Sequence, residues 1–128
     1  MQVLQLDHLV LTVKDIEMTK DFYRTILGMK SITFNQGRVA LVLGDMKINL
    51  HQHGMEFEPK SCLPTPGSAD LCFLTDTPLH EAMVHVRRFN IVIEEGPVER
   101  TGATGPICSF YIRDPDLNLL EISNRLEL

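Results

Sequence analysis

The chain has 128 residues, a formal net charge of −5, and 44% apolar and 23% charged residues. A chain of this size can build its own core, its composition excludes a disordered chain or an extended coiled coil, and its acidic balance excludes a nucleic-acid-binding surface. No apolar run approaches the ~20 residues that span a bilayer, and the N-terminus lacks the basic flank of a signal peptide. We therefore expect a cytoplasmic protein without nucleic-acid or membrane partners.

The first half of the chain predicts the element order βαβββ. Residues 4–13, "LQLDHLVLTV", are typical of a strand, and the next segment changes to helical spacing between Asp15, a suitable N-cap, and Gly28. The apolar face of this helix comprises Ile16, Thr19, Phe22, Tyr23, Ile26 and Leu27. Three β-rich runs follow at 30–35, 38–44 and 46–52, separated by glycine-containing turns.

A proline-containing stretch, residues 57–69, predicts a linker, after which the same order recurs. The second half predicts a strand at 70–76, a helix at 77–90, and strands at 91–98, 107–114 and 118–123. We therefore predict a single α+β domain over 1–128, built from two βαβββ modules in a pseudo-twofold repeat, with module 1 at 1–56 and module 2 at 70–128.

Three cysteines without a CxxC spacing indicate free thiols rather than a disulfide framework. Cys72 and Cys108 lie in apolar runs, so we expect both of them to be small core residues.

Aligning the two halves places residues that can bind metal over one another. "HLVLTV" over "DLCFLT" pairs His8 with Asp70, and "GDMKINLH" over "DPDLNLLE" pairs His51 with Glu121. A lone histidine in a strand is more often a hydrogen-bonded or surface residue than a ligand. Four ligand-type residues at equivalent positions of a repeat nevertheless predict a mixed N/O site for a divalent metal such as Zn, Ni, Co, Mn or Fe.

Three stretches resemble the vicinal oxygen chelate superfamily, the group of glyoxalases, bleomycin-resistance proteins and extradiol dioxygenases. They are "DHLVLTVKDIEMTKDFYRTILGM", "FNQGRVALVLGDMKINLHQHGMEFEPK" and "EEGPVERTGATGPICSFYIRDPDLNLLEIS". The runs "FYRTILGM" and "DPDLNLLE" are the most specific. More narrowly, the chain resembles small glyoxalase-domain-containing members that are related to a lactoylglutathione-lyase-like virulence protein.

This resemblance implies paired βαβββ modules that curl a sheet around a metal cavity, and usually a homodimer. It also implies metal ligands on the first strand of each module and on the last strand of one or both. His8, Asp70 and Glu121 match three of these positions, and His51 matches the fourth. The chain departs from the usual pattern in having Asp70 where histidine is common, and His51 where glyoxalases commonly have glutamate.

The function implied is a metal-dependent, glyoxalase-like lyase or isomerase acting on a small oxygen-rich metabolite, such as the thiol adduct of a 2-oxoaldehyde. Glu121 is the first candidate for the base and Asp70 the second. Three alternatives remain open. They are a ring-cleaving dioxygenase with Fe or Mn held by His8, His51 and Glu121, a thiol transferase acting on an epoxide antibiotic, and a protein that binds a drug or metabolite without catalysis.

Candidate substrate contacts lie mostly in the second half of the chain. Arg100 belongs to "EEGPVERTGATGP", which is either a mobile lid or an ordinary hairpin connection with a solvated arginine. Ser109, Tyr111 and Arg113 alternate along one strand and share one face, and Arg38 is a weaker candidate in the first half.

Overall fold

The computed structural model describes residues 1–126 and divides into two compact units, Met1–Gly67 and the residues from Ser68 onward. Each unit has the predicted βαβββ order, with a four-stranded mixed sheet and one helix. The predicted fold class, an α+β protein of two repeated modules, is confirmed. Within the described residues, no helix is long and apolar enough to cross a membrane.

Unit 1 contains β1 His8–Val13, α1 Ile16–Leu27, β2 Lys30–Phe34, β3 Arg38–Leu43 and β4 Met46–Gln52. Its sheet has the order β1-β4-β3-β2, with β1 parallel to β4 and the other pairs antiparallel. The predicted caps of α1 are present: the Met18 N–H donates to the Asp15 side chain at 3.0 Å, and Gly28 has a φ of 69°.

The first strand is shorter than predicted, because β1 begins at His8 rather than near residue 4. His8 pairs with Lys47, near the start of β4, so β4 offers no partner to the residues before His8. Val3, Leu4 and Leu6 are exposed.

Unit 2 contains β5 Asp70–Leu74, α2 Leu79–Arg88, β6 Glu95–Thr101, β7 Pro106–Arg113 and β8 Leu119–Arg125. Its sheet has the equivalent order, β5-β8-β7-β6, with β5 parallel to β8. Helix α2 has no side-chain cap of its own, but its Leu79 N–H donates to the Asn124 side chain of β8 at 2.8 Å.

The strand predicted at 91–98 lies further along the chain, at Glu95–Thr101. Asn90 has a φ of 60°, and the Ile91 N–H donates to the Val86 carbonyl of α2, so the apolar run starting at Ile91 completes the end of the helix instead. The segment considered as a lid is consequently a strand paired with β7, followed by a short turn. This hairpin has the connection of the second alternative, but Arg100 is paired with Tyr111 and Glu95 rather than solvated.

Each sheet buries one face under its helix. The buried face carries Leu11, Val13, Ile48 and Leu50 in unit 1, and Phe110, Ile112, Leu120 and Ile122 in unit 2. Because side chains alternate along a strand, the residues between them point to the opposite side, called here the helix-free face. Cys72 lies on this face and is exposed, and Cys108 is half-buried, so the prediction that both are core residues is wrong.

The turn between β7 and β8 is held by a buried polar pair. The Asp114 carboxylate accepts hydrogen bonds from the backbone N–H groups of Asp116 and Asn118, at 2.9 and 3.0 Å, and from the Asn118 side chain at 2.8 Å. The side-chain oxygen Oδ1 of Asn118 accepts from the Ala69 N–H at 2.8 Å, which ties this turn to the start of β5. The pair therefore aligns β5 and β8, the two strands that carry Asp70 and Glu121.

We predict that Asn118→Ala lowers the free energy of unfolding by about 2–3 kcal/mol, because it removes the side-chain hydrogen bonds of Asn118 with Asp114 and with the Ala69 N–H from a largely buried turn. Urea denaturation followed by circular dichroism measures the change. Asp45→Ala, in the exposed turn between β3 and β4 of unit 1, is the control and should change stability by less than about 0.5 kcal/mol. Equal effects of the two substitutions would contradict this account.

Candidate functional site

Glu121 lies in the centre of the helix-free face of unit 2. Strand β8 is the second strand of its sheet, so Glu121 has a neighbour on each side: Cys72 of β5 and Tyr111 of β7. Leu120 and Ile122, on either side of it in sequence, are buried against the helix side. The alternation that buries these two residues therefore presents the Glu121 carboxylate on the opposite face.

Two fully buried serines connect Glu121 to a cysteine. The Ser109 hydroxyl donates to Glu121 Oε2 at 2.6 Å, Ser109 and Ser123 lie 2.7 Å apart, and Cys72 Sγ lies 3.3 Å from the Ser123 hydroxyl. An ionised carboxylate only accepts hydrogen bonds, so the Ser109 proton is committed to Glu121. Ser109 must then accept from Ser123, and Ser123 from the Cys72 thiol. All protons in this serine chain therefore point from Cys72 towards Glu121.

The electrostatics of this face keep its neutral donors protonated. Burial raises the pKa of the Cys72 thiol, and the negative charges of Glu121 and Asp70 raise it further, while the hydrogen-bonded contact between Cys72 and Ser123 opposes them. Burial also raises the pKa of Tyr111, where the Glu121 charge adds to the effect and the Arg100 hydrogen bond opposes it. Both groups therefore stay neutral beside the carboxylate at pH 7.

The predicted substrate-contact residues of unit 2 all lie on this face, but its two arginines are already paired. Arg100 donates to the Tyr111 hydroxyl at 3.1 Å and to Glu95 at 3.1 Å. Arg113 holds Glu94 through two hydrogen bonds, of 2.8 and 3.2 Å. Sequence reasoning missed both acidic partners, since Glu94 and Glu95 lie in the segment whose strand was displaced.

Asp70 and His8 occupy equivalent places at the start of β5 and β1. In unit 2, Asp70 pairs with Leu119, one strand across and two residues along from Glu121 on the same face. In unit 1, His8 pairs with Lys47, and its Nδ1 lies 2.8 Å from the Asp7 carboxylate. Side chains in such a diagonal relation on one face can converge on a single ligand.

The registers give Asn49, not His51, as the residue equivalent to Glu121. Glu121 lies beside Cys72, two residues beyond Asp70, and Asn49 lies beside Val10, two residues beyond His8. The pairing of His51 with Glu121 in the sequence alignment is thus displaced by two residues. The missed signal is the pair of buried apolar neighbours, Ile48 and Leu50, which flank Asn49 as Leu120 and Ile122 flank Glu121.

His51 lies further along the sheet from His8 than Asn49 does. It pairs with Thr12, four residues beyond His8, which corresponds to about 13 Å at about 3.3 Å per residue. Of the two β4 residues, Asn49 is therefore the nearer to His8, and a shared metal site of both imidazoles stays a prediction. The Asn49 side-chain oxygen, by contrast, is buried without a hydrogen-bond partner.

The donor chemistry of these positions suits a divalent metal, since an imidazole, two carboxylates and an amide oxygen are all ligands that such ions accept. Across residues 1–126, however, no group of three or more His, Cys, Asp or Glu side chains lies close enough together to hold an ion.

Comparison with known proteins agrees with the fold. The model of the Glyoxalase/Bleomycin resistance protein/Dioxygenase superfamily matches residues 5–122. Virulence protein STM3117 of Salmonella typhimurium is 60% identical over 119 residues, covering 93% of this chain and 83% of that protein. The glyoxalase domain-containing protein RDO1 of Mycosarcoma maydis is 54% identical over 124 residues, covering 97% of this chain and 70% of that protein. The chain therefore belongs to the glyoxalase/bleomycin resistance protein/dioxygenase superfamily.

Solved structures support the same assignment. The crystal structure of STM3117 superposes with a TM-score of 0.96 at 58% identity, covering 98% of this chain and 100% of that one. Lactoylglutathione lyase from Agrobacterium tumefaciens has a TM-score of 0.71 at 21% identity, covering 94% of this chain and 92% of that one. TnmS3, an antibiotic-binding protein from Streptomyces sp. CB03234, has a TM-score of 0.77 at 19% identity, covering 98% and 99%. The last two share the fold alone.

The raised pKa of Cys72 predicts slow alkylation. In a Cys62→Ser, Cys108→Ser background at pH 8 with EDTA present, we expect Cys72 to react with iodoacetamide at least about threefold more slowly than glutathione, because less of it is thiolate. Glu121→Gln should increase the rate, since it removes a negative charge that raises the pKa. Mass spectrometry follows the reaction, and Glu99→Gln, at an exposed position of β6, is the control. An unchanged rate in Glu121→Gln would refute this electrostatic coupling.

Proposed function

We propose that the chain is a metal-dependent, glyoxalase-like lyase or isomerase that acts on a small oxygen-rich metabolite, and the thiol adduct of a 2-oxoaldehyde is the first substrate to test. The observation that carries this proposal is the Glu121 carboxylate, fixed by the 2.6 Å hydrogen bond from Ser109 and surrounded by neutral donors on an accessible sheet face. A fixed carboxylate of this kind suits the transfer of a proton between adjacent carbons.

The proposed metal ligands are His8, Asp70 and Glu121, with Asn49 as a further oxygen donor where the sequence alignment had placed His51. Zn, Ni, Co, Mn and Fe all suit this donor set. When bound, a divalent ion supplies Lewis acidity towards the vicinal oxygens of the substrate. A small-molecule substrate and a homodimeric assembly are parts of the same proposal, and both come from the family resemblance.

Residues of unit 2 would bind and orient the substrate. Glu121 takes the proton from one substrate carbon and returns it to the next, and Ser109 holds the carboxylate during both transfers. Tyr111 remains protonated and offers a hydrogen bond to a substrate oxygen, while Arg100, held by Tyr111 and Glu95, offers its remaining donors to an anionic group. Arg113 and Arg38 are weaker candidates for the same role.

A second candidate is a protein that binds a drug or metabolite without turning it over. The observation that favours it is Asn49, because an amide at the position equivalent to Glu121 supplies one negative charge fewer than a second carboxylate would. The dioxygenase alternative is less favoured, since its ligand set needs His51 beside His8 and the register places Asn49 nearer to His8. No observation favours the thiol transferase.

We expect purified protein reconstituted with Zn, Ni, Co, Mn or Fe to retain about one equivalent of metal per chain after desalting. His8→Ala, Asp70→Asn and Glu121→Gln should each weaken metal affinity at least about tenfold, because each removes a proposed ligand. His51→Gln should bind metal as tightly as the parent does. So should the control His53→Gln, which changes an exposed histidine beyond β4. Elemental analysis measures the content, and retention of metal by all three ligand variants would overturn the assignment.

Turnover of the methylglyoxal–glutathione adduct tests the reaction. We expect Glu121→Gln to lower kcat about 10²–10⁴-fold, the usual contribution of a general base, and Glu99→Gln to leave it unchanged. A Glu121→Gln protein that keeps its metal but loses turnover would make Glu121 the base, whereas loss of both would make it a ligand. Metal binding by the parent without turnover of this adduct would exclude this substrate, and binding of neither would favour the non-catalytic candidate.

A further inference from the structure

Unit 1 has a pocket of its own on the helix-free face. The floor is formed by Val10, Thr12 and His51, and the cover is formed by the segment after β4, including Pro59 and Ser61. Its volume of about 470 Å³ lies in the range of small-molecule sites. The pocket is built entirely from unit 1, and neither the proposed base nor any proposed metal ligand lines it.

His51 is the polar group of the floor that lacks a protein partner. It is only 8% exposed, and no described residue forms a hydrogen bond with its ring. Its ring makes a T-shaped contact with the Phe57 ring, and the two ring centroids lie 5.8 Å apart. In either protonation state the imidazole has at least one N–H that a ligand can use.

A positive charge lies near His51, and no described carboxylate neutralises it. Arg38 directly precedes Val39, which pairs with Leu50 of β4, and its positive charge acts on His51. Its guanidinium stacks over the Phe57 ring at 4.4 Å. No described carboxylate forms an ion pair with Arg38.

The other charged groups around the pocket already have partners. Lys60 in the cover forms an ion pair with Glu58. Glu56 accepts from the Gly54 N–H at 2.7 Å and lies 3.7 Å from the His53 ring. A ligand of this pocket therefore meets the His51 imidazole and apolar walls of valine and proline. It also lies near Arg38, whose positive charge acts on His51 and forms no ion pair with a described carboxylate.

We propose that this pocket binds a small organic monocarboxylate. Its carboxylate accepts hydrogen bonds from His51 and Arg38, and its apolar body lies against Val10 and Pro59. One unneutralised cation matches a monoanion better than a phosphate dianion, and the valine and proline walls favour a ligand with an apolar portion. The proposal needs no metal, so it does not depend on the metal-dependent function argued above.

The test is a titration of the EDTA-treated full chain with benzoate, followed by two-dimensional ¹H–¹⁵N NMR. We expect saturable shifts of the Val10, His51 and Ser61 amides, and binding of benzyl alcohol, the neutral analogue, at least about tenfold weaker. Inorganic phosphate distinguishes a carboxylate site from a general anion site. Phosphate binding as tight as that of benzoate would overturn the ligand class, and the absence of saturable shifts at these residues would overturn the site.

Two matched variants identify the donors. Arg38→Gln and His51→Phe should each weaken benzoate binding at least about tenfold, because each removes an N–H donor, while phenylalanine keeps the ring volume. His51→Gln retains an N–H and should recover part of the affinity, which a purely structural role of His51 would not produce. Arg24→Gln, on the exposed side of α1, is the control. Unaltered affinity in both Arg38→Gln and His51→Phe would refute the proposal even if metal binding were demonstrated.

Discussion

The parallel pairing of the first strand with the last strand in each unit decides which residues of this protein can act together. Because β1 pairs with β4 and β5 with β8, each sheet places the ends of its βαβββ sequence side by side in the sheet interior. A shift of one residue in either pairing would turn the buried leucines outward and the ligand-type residues inward. The core of each unit and its chemistry therefore depend on the same register.

On the helix-free face of unit 2, that register places the Glu121 carboxylate among neutral hydrogen-bonding groups. Ser109 and Ser123 are fully buried, so their hydroxyls must satisfy one another, and Glu121 fixes the direction in which they do so. The carboxylate gains a strong donor without gaining a positive neighbour, since Arg100 and Arg113 are engaged with Glu95 and Glu94. Such an arrangement keeps the acid ordered while leaving it available to another charged group.

Sequence reasoning found the repeated fold and the caps of α1, since both follow from local periodicity and capping chemistry. It misplaced β6, because the apolar run at Ile91 has the composition of a strand but completes the end of α2. It also chose His51 over Asn49. Its residue type suggested His51 as the ligand. Which residue lies beside Val10, however, is decided by the long-range pairing of β1 with β4. An alignment error of two residues keeps the side chain on the same face, so alternation along the strand does not reveal it. The ion pairs of Glu94 with Arg113 and of Glu95 with Arg100 likewise depend on how the strands pair in the folded sheet.

The pocket of unit 1 has a floor and a cover with different freedom to vary in evolution. Its floor residues alternate with core residues such as Leu11 and Leu50, so each substitution there is made on a strand that also supports the fold. The cover lies in a connection outside the sheet, where changes of length and sequence leave strand pairing intact. Related chains can therefore diverge in ligand preference by exchanging this one connection, and a chimera that receives only residues 53–64 from a relative would carry over that preference on an unaltered scaffold.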